Sequence, residues 1–317
     1  MTFIYIIMSL KDRIKGPVYS IITPFKNNGK DIDYESLENY IQYMYDNGAK
    51  IFYAMAFNTR YLLMSEDEIY KVNECVIKKI KGFNDKETIT IVGDPLDCST
   101  ETSIKFAQHA KDHGADMISL IYRAYLFFDD HVFNHYNTIA NAVDIPILVH
   151  EMPFMKGIPR HQDGNWSIDL LDRLADIPNV LAVKEDAKLD DYTKDIVDKI
   201  SDRVAIVVSG NGLQQWSKVS EKCQSWLSGI GNLFPKVEMD YYQYHLNNNQ
   251  EKCNEIIENI EKPFFYVKDN YSWHLGIKSA MEHLNIMSKQ ERMPYQELDE
   301  EKHKHVGEII EQIKKYV

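Results

Sequence analysis

Eight short runs of apolar and β-branched residues recur along the chain, and they constrain its fold more than any other feature. They are Val18–Thr23, Ile51–Met55, Thr88–Val92, Met117–Ile121, Ile145–Val149, Val180–Val183, Val204–Val208 and Ser225–Leu227. Gly, Pro or Asp punctuation bounds each run, and segments of helical period lie between them. The runs are nearly continuous in apolar character rather than alternating. Strands covered on both faces read this way, and such strands belong to a parallel sheet. Asp33–Asn47 shows the intervening pattern: Leu37, Tyr40, Ile41 and Met44 fall on one helical face, and Gly48 closes the helix. Ser65 and Glu68 have capping-box spacing ahead of the next helix. The array predicts an α/β chain, a (β/α)8 TIM barrel. An open doubly wound sheet would carry a glycine-rich phosphate loop after an early strand. Neither G-x-G-x-x-G nor G-x-x-x-x-G-K occurs here.

After Pro235 the pattern changes to helices with no strand between them: Val237–Asn247, Gln250–Glu261, Trp273–Leu284 and Asp299–Val317. The expected organisation is an N-terminal extension over residues 1–15, the barrel over 16–236, and the last barrel helix with a C-terminal helical region over 237–317. Phe3–Met8 is apolar but too short for a membrane span, and no basic segment precedes it. Met8 is an alternative start, and a cytoplasmic location is expected. Lys+Arg 36 against Asp+Glu 48 leaves a net charge of −12, which argues against a nucleic-acid binder. The four cysteines, Cys75, Cys98, Cys223 and Cys253, form no C-x-x-C pair. A zinc ribbon and a disulfide scaffold are both disfavoured, and a reducing compartment fits.

Chemistry in such a barrel belongs at the C-terminal strand ends. Lys184 follows the apolar run Val180–Val183 and is the only lysine among the strand-end residues. A lysine that loses solvation there offers free amine, and free amine attacks a carbonyl to form a Schiff base. Spacing leaves a second reading open. Asp186 falls on the same side of the strand, and an ion pair with it would hold the amine protonated. Tyr122 and Tyr125 end another run, where a phenol can relay protons. His150-Glu151 resembles a metal fragment, but neighbours on a strand point to opposite faces and no H-E-x-x-H follows. His303 and His305 lie in a charged terminal helix. No metal and no cofactor are expected.

Taken in order, these segments resemble the dihydrodipicolinate synthase / N-acetylneuraminate lyase superfamily of Schiff-base aldolases, from Gly16 to the C-terminus. The matching stretches are Gly16–Phe25, Asp33 with Leu37, Met64–Glu68, Val180–Glu185, Ser209-Gly210-Asn211, Gly229–Pro235, Ile277–Ala280 and Arg292-Met293-Pro294. The resemblance implies a barrel with C-terminal helices, a homotetramer, a Schiff-base lysine at Lys184 and a proton-relay tyrosine at Tyr125, with Tyr122 as the fallback. It also implies substrate contacts from Ser209, Gly210 and Ile230.

The departures are equally informative. Pyruvate-binding members carry Gly-Thr-Thr-Gly-Glu where this chain has Ala56-Phe57-Asn58-Thr59-Arg60. A glycine-poor loop with Phe57 lacks the same backbone nest. Asn58 and Thr59 remain as polar contacts, and Arg60, if it points inward, as a bidentate grip on a carboxylate. The family's Tyr-Asn-x-Pro is His150-Glu151-Met152-Pro153, which places an ionisable His150 at the site. Met155, with Lys156 beside it, stands where the lysine-pathway branch carries an arginine. That change argues against dihydrodipicolinate synthesis itself. The expected function is a class I lyase or aldolase joining Lys184 to a 2-oxo acid, with a small-molecule carbonyl substrate and no nucleic-acid or membrane partner. The alternatives are a barrel that keeps the lysine but only binds ligands, and a sugar-acid dehydratase.

Overall fold

The computed structural model describes residues 9–96, 98–122, 128–152, 165–209 and 212–317. Tyr125, Lys156 and Gly210 lie outside the described residues. Eight parallel strands close into a barrel: β1 (Gly16–Ser20), β4 (Ile51–Ala54), β5 (Ile89–Gly93), β6 (Met117–Ile121), β7 (Ile147–His150), β8 (Val180–Glu185), β9 (Ala205–Ser209) and β10 (Ser225–Leu227). β10 returns to pair with β1, so among the described residues the barrel has no open edge. Helices α2 (Tyr34–Asp46), α3 (Glu66–Lys81), α4 (Thr100–Asp112), α5 (Asp129–Ala142), α6 (Ile168–Ala175), α7 (Asp190–Ile200), α8 (Gly212–Ser217) and α9 (Pro235–Leu246) form the outer ring. The (β/α)8 barrel read from the eight apolar runs is the fold of the chain. No helix among the described residues is long and apolar enough to cross a membrane.

The apolar runs are continuous because both faces of each strand are covered. Outward residues such as Val183 and Val149 join the shell under the helices. Inward residues such as Val18, Ile51, Leu148, Ala182 and Val207 fill the barrel interior, and Ile14 joins them from below. The segment before β1 is therefore packed from α1 (Leu10–Arg13) onward. Between β7 and β8 the register shifts: Ile147 faces Val180 while Leu148 faces Ala182. The shift skips Leu181, so His150 lies directly opposite Lys184.

Two elements depart from the sequence reading. Thr23 is not in β1. It follows the strand, and its hydroxyl donates to the Thr59 carbonyl at 2.7 Å. The chain then makes a small hairpin, β2 (Phe25–Lys26) with β3 (Asp31–Ile32), too short to leave an alternating signature. Second, α10 (Gln250–Ile256) continues through a π-helical turn, Ile257–Glu261, into α11 (Lys262–Tyr271). Pro263 signals a stop in sequence, but the widened turn absorbs the hydrogen bond that proline cannot make. Ser272 breaks the helix, and α12 (Trp273–His283) and α13 (Glu300–Ile313) complete the chain.

The C-terminal region grips the barrel mouth through buried charges. Lys278 is fully buried and donates to the Thr23 carbonyl at 3.1 Å. Arg60 was expected to face a substrate carboxylate, and the structure corrects this. It is 1% exposed, with Nη2 and Nε on the Glu291 carboxylate at 2.7 and 3.1 Å and Nη1 on the Asn58 carbonyl at 2.8 Å. Its guanidinium neutralises a second buried charge and is unavailable to a ligand. Arg60→Met, which strands that carboxylate, is expected to lower the unfolding free energy by about 3–5 kcal/mol. Adding Glu291→Met should recover most of the loss, as chemical denaturation of both variants would show. A single variant as stable as the parent chain would remove the clamp role.

Candidate functional site

Strand alternation places Ala182, Lys184 and then Asp186 toward the barrel axis, while Glu185 points out to α7. Glu185 accepts there from the Thr193 hydroxyl at 2.8 Å. Lys184 is fully buried apart from its access to a cavity of about 300 Å³ at the barrel mouth. Its Nζ donates to Asp186 Oδ2 at 2.6 Å and lies 3.1 Å from His150 Nε2. His150 Nε2 is in turn 3.7 Å from the same Asp186 oxygen. The three side chains form a triangle, of which Lys184 and Asp186 line the cavity. The ion pair that spacing left open is thus present, and His150 is its third member.

Electrostatics assign protons within the triangle. Burial and the adjacent Lys184 charge push His150 down to about 4, with Asp186 partly offsetting them. Burial opposes ionisation of Asp186, yet the Lys184 charge and the neighbouring His150 hold its carboxyl at about 2. At neutral pH the resting state is therefore an ionised Asp186 against a neutral imidazole. With Nε2 accepting from Lys184, the ring proton sits on Nδ1. That nitrogen faces Tyr53 Oη at 3.3 Å, and Tyr53 is hydrogen-bonded to Ser119. A buried wire thus runs from Lys184 through His150 and Tyr53 to Ser119. Behind it, Glu151 is fully buried, and burial followed by the Glu185 charge raises its carboxyl well above the ordinary range. Glu151 Oε2 accepts from the Asp186 backbone N–H at 3.5 Å, which supports the turn after β8.

The remaining expected site residues divide into those at the cavity and those elsewhere. Asn58 and Ser209 line the cavity with Lys184. Asn58 donates to Ser20 Oγ at 2.9 Å and accepts from Trp273 Nε1 at 2.9 Å, so its side chain is fixed across the opening. Thr59 is fully buried and its hydroxyl donates to the Ile21 carbonyl at 2.7 Å. It braces the segment just after β1 rather than facing a ligand. Ile230 packs in the outer hydrophobic core, and its carbonyl closes a short 3₁₀ turn, Ile230–Asn232. Tyr122 lies against His135, ring centroids 4.4 Å apart, and is not among the described residues that line the cavity.

Sequence reasoning missed Lys188 and Trp273, which also line the cavity, and Tyr53 beneath it. Trp273 arrives from the C-terminal region, for which local pattern holds no signal. Tyr53 was legible only as one residue of an apolar run. Away from the mouth, Glu74, His109 and His113 gather on α3 and α4, with His109 Nε2 3.0 Å and His113 Nε2 3.5 Å from Glu74 Oε1.

This geometry can be set beside known proteins. The family model described as the Dihydrodipicolinate synthetase family matches residues 13–313. The chain belongs to that family. A 4-hydroxy-tetrahydrodipicolinate synthase of Hydrogenobaculum sp. (strain Y04AAS1) is 27% identical over 307 residues, covering 96% of this chain and 99% of the relative. The enzyme of the same name from Psychrobacter sp. (strain PRwf-1) is 24% identical over 301 residues, covering 93% and 94%. The crystal structure of dihydrodipicolinate synthase from Aquifex aeolicus superposes with a TM-score of 0.79 at 23% identity, covering 95% and 98%. Within this dihydrodipicolinate synthetase family fold, the chain places a histidine and an aspartate against its barrel lysine.

Gly229 shows how tightly the mouth is closed. It has a φ of +86°, and a Cβ there would lie 1.9 Å from the Trp273 ring. Gly229→Ala is expected to destabilise the chain by about 1–3 kcal/mol and to free Trp273 from Asn58. Tryptophan fluorescence and thermal unfolding check both effects, and an unshifted spectrum would refute the second.

Proposed function

We propose that this chain is a class I lyase that condenses Lys184 with a 2-oxo acid and breaks or forms a carbon–carbon bond next to the resulting imine. Membership of the dihydrodipicolinate synthetase family supports a lyase or synthase. The buried triangle of Lys184, Asp186 and His150, which meets the cavity through Lys184 and Asp186, carries the reading.

The triangle supplies what imine formation needs. As a carbonyl approaches, the Lys184 ammonium passes one proton to His150 Nε2, its neutral neighbour at 3.1 Å. Loss of the lysine charge removes part of what held the imidazole pKa down, so His150 becomes a better acceptor as the proton arrives. The freed lone pair attacks the carbonyl carbon. The imidazolium returns its proton to the carbinolamine oxygen, the nitrogen gives up one of its own to the same oxygen, and water departs. Ammonium plus carbonyl thereby become protonated imine plus water, with charge conserved. Asp186 neutralises the proton on whichever partner holds it, so no uncompensated charge arises in the buried site. The protonated imine then withdraws electrons from the adjacent carbon–carbon bond. Tyr125 is retained as the candidate donor to the leaving fragment, with Asn58 and Ser209 as substrate contacts. A homotetramer in solution is part of the same reading, and a light-scattering mass near that of one chain would contradict it.

Borohydride reduction in the presence of 2-oxo acids tests the core of the proposal. The expected result is a mass adduct that maps to Lys184 and is lost in Lys184→Ala. No adduct with pyruvate, 2-oxobutyrate or sugar-derived 2-oxo acids would overturn the reading. His150→Phe is expected to slow trapping by about 10²–10⁴-fold. Because His150 must be neutral to accept the proton, the trapping rate should fall as pH drops through about 4. That acid limb should be absent from the residual rate of His150→Phe, and a limb that persists would assign it to another group.

A further inference from the structure

Two imidazoles and a carboxylate meet on the outer helix ring, where the Schiff-base chemistry has no use for them. Glu74 lies midway along α3, and His109 and His113 stand one turn apart at the end of α4. Residues one turn apart share a face of the helix, and this face looks toward α3. The two imidazole centroids are 4.1 Å apart. His109 Nε2 is 3.0 Å and His113 Nε2 3.5 Å from the same oxygen, Glu74 Oε1. One donor atom from each residue therefore falls within 4.8 Å of the other two.

Hydrogen bonding fixes where the His113 proton is. Its Nδ1 lies 2.9 Å from the His109 carbonyl oxygen, which can only accept, so Nδ1 carries the proton. Nε2 of the neutral ring then turns a lone pair toward Glu74 Oε1. Two acceptors face each other at 3.5 Å, an arrangement that a cation between them relieves. Donation from the second ring nitrogen to a backbone carbonyl is also how metal-ligating histidines are held. The His109 ring is fixed in a different way. It rests against Tyr70, centroids 4.6 Å apart, and Tyr70 stacks on Phe106. The packing of α3 and α4 thus orients the donor set in advance.

Donor type and spacing select the ion. Imidazole with carboxylate suits Zn²⁺, Cu²⁺ and Ni²⁺, whereas Mg²⁺ and Ca²⁺ take oxygen ligands. Ligands at about 2.0–2.1 Å in a tetrahedral shell stand roughly 3.3 Å from one another. The two separations from Glu74 Oε1 bracket that value. His113 and Glu74 are 42% and 47% exposed, so an ion can reach the cluster and keep a water as fourth ligand. One cost opposes binding. Coordination through Nε2 moves the His109 proton to Nδ1, which is buried with no hydrogen-bond partner among the described residues. That penalty sets the expected affinity in the micromolar range, below that of closed structural zinc sites.

We propose that Glu74, His109 and His113 bind one Zn²⁺ ion per chain, which cross-links α3 to α4 on the outside of the barrel. None of the three is among the described residues that line the cavity, so the claim stands or falls apart from the Schiff-base reading. An ion that binds only the folded arrangement also stabilises it.

Calorimetric titration of the full chain with Zn²⁺ tests the site, with His113→Gln and Glu74→Gln as variants at exposed positions. Thermal unfolding without metal verifies that both variants are folded. The parent chain is expected to show one micromolar site that excess Mg²⁺ does not displace, and either variant to weaken it at least tenfold. Zn²⁺ should raise the Tm of the parent chain and leave that of His113→Gln unchanged. The four free cysteines also offer zinc ligands, so Co²⁺ serves as a second probe. Its visible spectrum should report tetrahedral nitrogen and oxygen ligands without a thiolate charge-transfer band, and should be lost in His113→Gln. Equal Zn²⁺ binding by the parent chain and His113→Gln overturns the proposal, as does a thiolate band. Absence of saturable Zn²⁺ binding to the parent chain also overturns it, and a second proton on His113 is then the cation that faces Glu74.

Discussion

An ammonium group inside a closed barrel has few ways to be tolerated, and the site is organised around that constraint. Lys184 is buried by its strand, so its charge must be met within the protein. Asp186 meets it at 2.6 Å, two residues along the same strand direction. Alone, that pair would hold the amine protonated and unreactive. His150, kept neutral by burial and by the lysine itself, provides a place for the proton only 3.1 Å away. The pair preserves the folded state and the histidine makes it reversible. Tyr53, Ser119 and Glu151 then position these three groups.

The fold was legible in the chain because burial on both faces imposes a composition that short strands cannot hide. Each of the eight apolar runs became a barrel strand, with ends displaced by a few residues where pairing rather than hydrophobicity decides. Lys184 was legible for the same reason: a charged residue ending such a run has one place to go. The loop residues were not. Asn58 and Arg60 are two residues apart in one loop, yet Asn58 lines the cavity and Arg60 faces Glu291, more than two hundred residues later in the chain. Local pattern carries no information about a partner at that separation. Trp273 and Lys268 were hidden in the same way, because they reach the mouth only once α11 and α12 fold over it.

Buried charges recur at the seams of the molecule. Arg60 with Glu291 and Lys278 with the Thr23 carbonyl join the C-terminal helices to the turns that frame the mouth. Such contacts contribute little net stability compared with apolar packing, but they discriminate strongly against misplacement, because a displaced partner leaves a charge stranded. The helices are thereby held in one position over the barrel. The cavity wall inherits that definition through Trp273 and Asn58.

The register shift beneath the site has a consequence for how such a chain can change. By skipping Leu181, it brings Lys184 level with His150, so that two side chains on paired strands lie side by side inside the barrel. Their distance is set by the spacing of paired strands, because both side chains leave from strand residues rather than from the loops beyond them. Loops above can lengthen or lose glycines without altering the alignment of amine and imidazole. Reaction and recognition are therefore carried by separate parts of the backbone, and one can diverge while the other stays in phase.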